Sequence, residues 1–113
     1  TDMLKADTKL IRLTITDRAG TIKDVEWNVE GSLFVGRSEM CNIFFDDERL
    51  SKQHFVIEVT KMACYIEDLE STNGTFVNGV KVTSKRMLLE GDKITAGRET
   101  FVFHVMNDSQ AAE

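Results

Sequence analysis

The chain contains no proline. Every reversal of direction must therefore be built from Gly, Asn, Asp and Ser, which reach left-handed φ or close a turn with a short polar side chain. Cysteine is scarce. Cys41 and Cys64 stand far apart with no C-x-x-C pair, and the histidines are only His54 and His104. A zinc site wants four ligands at close spacings, so no metal and no cofactor are implied. The two thiols are expected to be reduced and packed as small hydrophobes, as in a reducing compartment, with a disulfide as the alternative. No apolar run approaches the roughly 18 residues that a spanning helix needs. The opening residues Thr1-Asp2-Met3-Leu4-Lys5 lack the basic-then-apolar layout of a secretory signal. The expectation is a cytoplasmic or nuclear protein, neither membrane-bound nor exported by its own sequence. Clustered bases are missing as well: the formal net charge is -5 and the pI is about 5.0. A nucleic-acid binder displaces counterions with clustered Lys and Arg, so no nucleic-acid partner is expected. Net charge governs solubility and steering, and a single pocket needs only a local positive potential.

What is present is period-2 alternation. With 113 residues, 42% hydrophobic and 29% charged, the chain is sized for one globular domain. Ile11, Leu13 and Ile15 alternate with Arg12, Thr14 and Thr16, and Asp17-Arg18-Ala19-Gly20 then breaks the run. Strand-like runs follow over Thr21 to Val29, Leu33 to Val35, Asn42 to Phe45, His54 to Val59, Cys64 to Ile66, Thr75 to Val77, Lys81-Val82, Met87 to Leu89, Lys93 to Thr95 and Phe101 to Val105. Many short runs separated by regular turn signals read as an all-β sandwich. No stretch of a dozen residues keeps a helical apolar period, and there is no repeat or low-complexity segment. Asn78-Gly79, between Thr75-Phe76-Val77 and Val80-Lys81-Val82, predicts a type I′ hairpin, which needs φ > 0 at both central positions. The expected organisation is a tail over 1–9, one domain over 10–106 and a second tail over 107–113. The whole reads as a domain of a larger protein.

Arg37, Ser51 and Asn73 all fall where a strand meets a loop. Taken singly, each element near them has a structural explanation: a bend at Gly36, a solvated Arg37, a turn cap at Ser51, a core histidine at His54, plain turns at Asn73-Gly74 and Asn78-Gly79. Taken together they describe one end of a sandwich, where binding residues concentrate on loops. Arginine offers a planar fork of donors that matches phosphate oxygens, and a serine hydroxyl and loop amides add to it.

The ordered set Phe34-Val35-Gly36-Arg37, Leu50-Ser51-Lys52-Gln53-His54, Ile66-Glu67-Asp68-Leu69, Ser71-Thr72-Asn73-Gly74-Thr75-Phe76-Val77-Asn78-Gly79 and Leu89-Glu90-Gly91-Asp92-Lys93-Ile94 resembles the forkhead-associated (FHA) family. The likeness runs from about Gly31 to Val105. It implies an eleven-stranded β-sandwich that binds phosphothreonine peptides through loops at one end. It also implies roles. Arg37 and Ser51 match positions that hold the phosphate, Thr72 a further phosphate-side position, and Lys52 a second cation. Asn73 matches the asparagine that bonds the peptide backbone. Gly36, His54, Gly74, Asn78 and Gly79 match structural support for the binding loops. Arg49 resembles positions that select an acidic residue three places after the phosphothreonine; its other reading is a solvated rim charge beside Asp46-Asp47-Glu48, and the sequence leaves both open.

The expected partner is a phosphothreonine-containing protein or peptide, or a phosphothreonine of the same chain, such as one in the tail that holds Thr8. An enzyme is not expected. Ser51 and His54 are odd-spaced around a strand start, and no nucleophile-elbow glycine pattern occurs. The alternative kept open is an interaction sandwich that binds without phosphate.

Overall fold

A computed structural model describes residues 9–107, and all regular structure among them is strand. Eleven strands follow one another: β1 (Lys9–Thr16), β2 (Ile22–Trp27), β3 (Gly31–Gly36), β4 (Ile43–Phe44), β5 (Phe55–Val59), β6 (Cys64–Asp68), β7 (Thr75–Val77), β8 (Val80–Lys81), β9 (Arg86–Leu88), β10 (Lys93–Ala96) and β11 (Glu99–Asn107). They form a six-stranded sheet in the order β2-β1-β11-β10-β7-β8 and a five-stranded sheet in the order β4-β3-β5-β6-β9. Pairing is antiparallel throughout except between β3 and β4. The expected eleven-stranded sandwich is the fold observed.

Alternation places the core between the sheets. Ile11, Leu13 and Ile15 point inward from β1 and are fully buried, while Arg12 and Thr14 between them are only half-buried. Leu33 and Val35 of β3, Phe55 and Ile57 of β5, and Phe101 and Phe103 of β11 meet them from both sides. Phe101 packs edge-to-face on Phe55 at 5.4 Å between centroids and on Phe45 at 5.8 Å. Such pairs add about 0.5–1.5 kcal/mol beyond the area they bury. Cys41 and Cys64 are buried, and neither is in a disulfide.

Turn chemistry trims the expected strands. β2 starts at Ile22 because Thr21 still gives its N–H to the Asp17 carboxylate at 2.9 Å. β9 ends at Leu88 because the Leu89 N–H turns to Asp92 at 2.8 Å. The Asn78-Gly79 hairpin forms as expected, with φ of 52° and 83°, and pairs Val77 with Val80. Lys9 pairs with Asn107, so the sheet takes in one residue beyond the expected core at each side. The rest of both expected tails, Thr8 included, lies outside the described residues.

One close approach sets the geometry of the loops. After β3 the chain stays zipped to the segment before β5: Arg37 N–H donates to the Ser51 carbonyl at 3.0 Å, Ser38 N–H to the Lys52 carbonyl at 3.1 Å, and His54 N–H to the Val35 carbonyl at 2.8 Å. Gly36 lies between, and a Cβ there would sit 2.2 Å from the Lys52 carbonyl oxygen. The neighbour is backbone, so it cannot swing aside. Gly36→Ala should therefore cost about 1–3 kcal/mol, in the range of overpacked sites. Equilibrium urea unfolding should show this as a lower midpoint with an unchanged slope.

Candidate functional site

Three connections meet at one end of the sandwich: 37–42 after β3, 45–54 before β5, and 69–74 between β6 and β7. They enclose an open depression of about 310 Å³ lined by Arg37, Arg49, Ser51, Lys52, Thr72 and Asn73, with Glu48 on its rim. Three cations against one acid make the lining of this depression locally positive in a chain that is negative overall. Arg37 is exposed, yet its Nε donates to the Leu50 carbonyl at 3.1 Å. That bond anchors the guanidinium by one nitrogen and leaves the other two nitrogens for a ligand. Ser51 Oγ accepts the Thr72 N–H at 3.0 Å, which keeps its own hydroxyl proton available to donate. Asn73 Nδ2 donates to the Arg49 carbonyl at 2.8 Å and joins the third loop to the second. The six residues expected to contact a ligand are thus brought together around one depression.

The scaffold beneath is buried. His54 is fully buried; its Nδ1 accepts the Ser51 N–H at 3.0 Å and its Nε2 bonds the Gly74 carbonyl at 2.8 Å. A carbonyl can only accept, so the pattern assigns the proton to Nε2. Both ring nitrogens are engaged with backbone, so Ser51 and His54 form no nucleophile–base pair. Cys41 Sγ donates to the Lys52 carbonyl at 3.2 Å, and burial pushes its thiol pKa up.

Asn78 and Gly79 need a correction. They were expected to support the binding loops, but β7 carries them away from the 69–74 loop to its other end. There Asn78 Nδ2 donates to Asp92 at 2.9 Å and its Oδ1 accepts the Lys93 N–H at 3.0 Å. Asn78 thus holds the turn between β9 and β10, and Gly79 serves the hairpin turn itself. The acids 46–48 also divide: Asp46 and Glu48 are exposed, whereas Asp47 is fully buried.

Two organising residues carried no assigned role from sequence. Asp68 Oδ1 accepts the hydroxyls of Ser71 and Thr75, each at 2.6 Å, and its Oδ2 accepts the Ser71 N–H at 3.0 Å. Ser71 Oγ in turn accepts the Gly74 N–H at 2.9 Å. The signal was available: Asp68-to-Ser71 and Ser71-to-Gly74 are both three-residue steps, the spacing at which short polar side chains close turns. Burial works against the Asp68 charge, but the bonds from Ser71 and Thr75 outweigh it and hold its carboxyl below the ordinary range.

A second depression, also about 310 Å³, adjoins the first and shares Arg49 and Asn73 with it; Gly74, Phe76, Thr95 and Gly97 complete its wall.

The family model of the FHA domain matches residues 33–97, more than half of the chain. The chain belongs to the FHA domain family. Among curated proteins the FHA chain is 33% identical over 87 residues to a probable serine/threonine-protein kinase, fhkA, of Dictyostelium discoideum; the match covers 67% of this chain and 14% of that protein. It spans 14%, 8% and 10% of three of the curated relatives it matches. Among solved structures it is similar, at 28% identity and TM-score 0.72, to an FHA domain from a study of phosphothreonine-dependent FHA domain interactions, covering 84% of this chain and 95% of that one. It is likewise similar to the FhaA FHA domain solved in complex with an intracellular domain of a partner, at 29% identity and TM-score 0.72, covering 83% and 99%.

Asp68→Ala should release the loop that presents Thr72 and Asn73. The expected result is faster amide exchange at Ser71 and Gly74 and a loss of about 1–3 kcal/mol, the cost of stranding partly buried donors. In the unsubstituted FHA chain the Asp68 contribution is present above its ordinary pKa of 3.8 and disappears as pH falls through the lowered value. A thermal-melt series across acidic pH reads this directly.

Proposed function

We propose that this FHA domain is a phosphopeptide-binding module that recognises phosphothreonine in a partner or in its own protein, and that it acts by binding alone. The observation that carries the reading is the docking of Arg37 Nε on the Leu50 carbonyl, which presents the guanidinium to a depression that Ser51, Lys52 and Thr72 also line. A phosphothreonine brings about -1.5 to -2 charges and three acceptor oxygens. The guanidinium takes oxygens as a fork, the Ser51 hydroxyl donates to another, and Lys52 adds a mobile cation. The Thr72 side chain stands on the phosphate side. Asn73, tied by Nδ2 to Arg49, keeps its Oδ1 for a peptide N–H beside the phosphothreonine.

Arg49 lies between the two depressions. An extended peptide that leaves the phosphate site past Asn73 enters the second one, where Arg49 favours Asp or Glu three places after the phosphothreonine. The small share of each curated relative that the match covers fits a recognition module within a longer protein.

A charge-assisted hydrogen bond contributes about 1.5–3 kcal/mol, and truncating one partner of a desolvated charged contact costs about 2–5 kcal/mol. Arg37→Ala should weaken binding by roughly thirty- to several-thousand-fold, which takes a micromolar ligand to tens of micromolar at the least and out of measurable range at the upper end. Titration calorimetry against a degenerate phosphothreonine library checks this. Thr→Glu peptides should fail, since a carboxylate lacks the charge and the third oxygen. Equal binding of phosphorylated and plain peptides would instead identify a phosphate-independent interaction sandwich.

Arg49→Glu should leave the need for phosphate intact while reversing the charge preference at the third following position. Affinities for paired peptides with Asp or Lys there separate a selecting arginine from a solvated one.

A further inference from the structure

Behind the phosphate-side depression, two acids lie out of solvent. Asp47 is 0% and Glu99 1% exposed, and their carboxyl groups are in side-chain hydrogen-bond contact. Their remaining bonds tie three turns together. Asp47 Oδ1 accepts the Arg49 N–H and its Oδ2 the Arg98 N–H, both at 2.9 Å, while Glu99 Oε1 accepts the Arg18 N–H at 3.1 Å. The connections before β2, before β5 and before β11 thus converge on one carboxyl pair. The turn at Gly97 closes tightly over it, since a Cβ there would lie 2.9 Å from Asp47 Oδ2.

Two touching carboxyl groups in a buried site cannot both ionise cheaply, so one proton bridges them. Two backbone amides favour charge on Asp47, which places the proton on Glu99. Burial first, and then the Asp47 neighbour, push Glu99 up to about 7. Burial opposes the Asp47 charge, but the bond from Glu99 and the two amides bring it to about 2. The charged groups around the pair are Asp17 and Arg18 from the turn after β1, Asp46 and Arg49 from the loop before β5, and Arg98 from the turn before β11. Asp17 adds to the upward push on Glu99, and Arg98 favours charge on Asp47.

The pair sits one step from the binding residues. Leu50 N–H donates to the Asp47 carbonyl at 2.9 Å, the Leu50 carbonyl holds Arg37 Nε, and the Arg49 carbonyl holds the Asn73 side chain. We propose that the proton shared by Asp47 and Glu99 is a latch: while it is in place the loop before β5 holds Arg37 and Asn73 ready to bind, and when it is lost the loop slackens and phosphopeptide affinity falls. Asp47 and Glu99 are positioning residues in this scheme. The effect on affinity rests on the phosphopeptide reading; the titration itself does not.

The folded form keeps a Glu99 proton that the unfolded chain releases from its ordinary 4.5 upward. The stability that this proton contributes is therefore whole below 4.5 and lost as pH rises through about 7, where the latch itself opens. A peptide phosphate gains charge over the same range, with a second pKa of about 6. That trend strengthens binding, so a decline on the alkaline side belongs to the protein.

The test follows the backbone amides of Arg18, Arg49 and Arg98 by NMR between about pH 5.5 and 8.5, in the 113-residue chain and in Glu99→Gln. The three amides should share one midpoint near 7 and lose it in Glu99→Gln, whose side-chain N–H keeps donating to Asp47. The affinity of a phosphothreonine peptide should fall by roughly threefold or more across the alkaline half and should hold or rise in Glu99→Gln, where only the phosphate titrates. Amides that titrate identically in Glu99→Gln overturn the latch. So does a Glu99 carboxyl carbon that titrates in the ordinary carboxylate range while the chain is folded, and this readout decides the matter even where Glu99→Gln does not fold. A shared amide midpoint with constant affinity overturns the coupling to binding. A shared midpoint with no phosphopeptide binding at any pH supports the latch and counts against the phosphopeptide reading instead.

Discussion

The imidazole of His54 is out of solvent with both nitrogens in use, accepting the Ser51 N–H on one side and bonding the Gly74 carbonyl on the other. Ser51 belongs to the loop before β5 and Gly74 to the loop before β7, so this single ring spans the gap between the two sheets at the binding end. Without the ring, Ser51 and Gly74 would each leave a polar backbone group without its partner, a cost of about 1–3 kcal/mol apiece. The exposed contact between Ser51 Oγ and Thr72 N–H and the bond between Asn73 and the Arg49 carbonyl both presuppose the spacing that His54 sets.

On that frame the guanidinium of Arg37 is held by a backbone carbonyl, while Lys52 is fixed only through its backbone. Arg37 leans on Leu50, and Lys52 gives its carbonyl to Ser38 while its side chain stays exposed. Such anchoring lowers the conformational entropy a ligand must remove on binding, which is where preorganised sites gain affinity. It also explains how an acidic chain can present a positive depression. The acids nearest the site are either on the rim, as Glu48 is, or turned inward onto amides, as Asp47 is.

Much of this was legible in the residues. Alternation in β1, the breaker run at 17–20 and the Asn78-Gly79 hairpin each depend on neighbours in sequence, and each appears where expected. The clustering of Arg37, Ser51 and Asn73 was also readable, because all three stand at strand ends. What stayed hidden depends on partners far away in the chain. Arg18 meets Glu99 across 81 residues and Arg98 meets Asp47 across 51, and nothing local in an Asp-Asp-Glu run separates the buried acid from its exposed neighbours. Asn78 was misplaced for a related reason: a hairpin turn announces its shape locally, while its Asp92 partner is set by the long-range order of strands.

The longest ladder among the described residues joins β1 to β11, with Lys9 opposite Asn107 at one end and Thr16 opposite Thr100 at the other. The loops of the site lie beyond the Thr16 end, beside the turn that leads into β11. Tension carried along the chain would enter at Lys9 and Asn107 together. Because the two strands are antiparallel and loaded at the same end, that pull peels the ladder open rung by rung rather than shearing all its bonds at once. Opening thus starts at the Lys9–Asn107 end of the ladder, the end away from the binding loops.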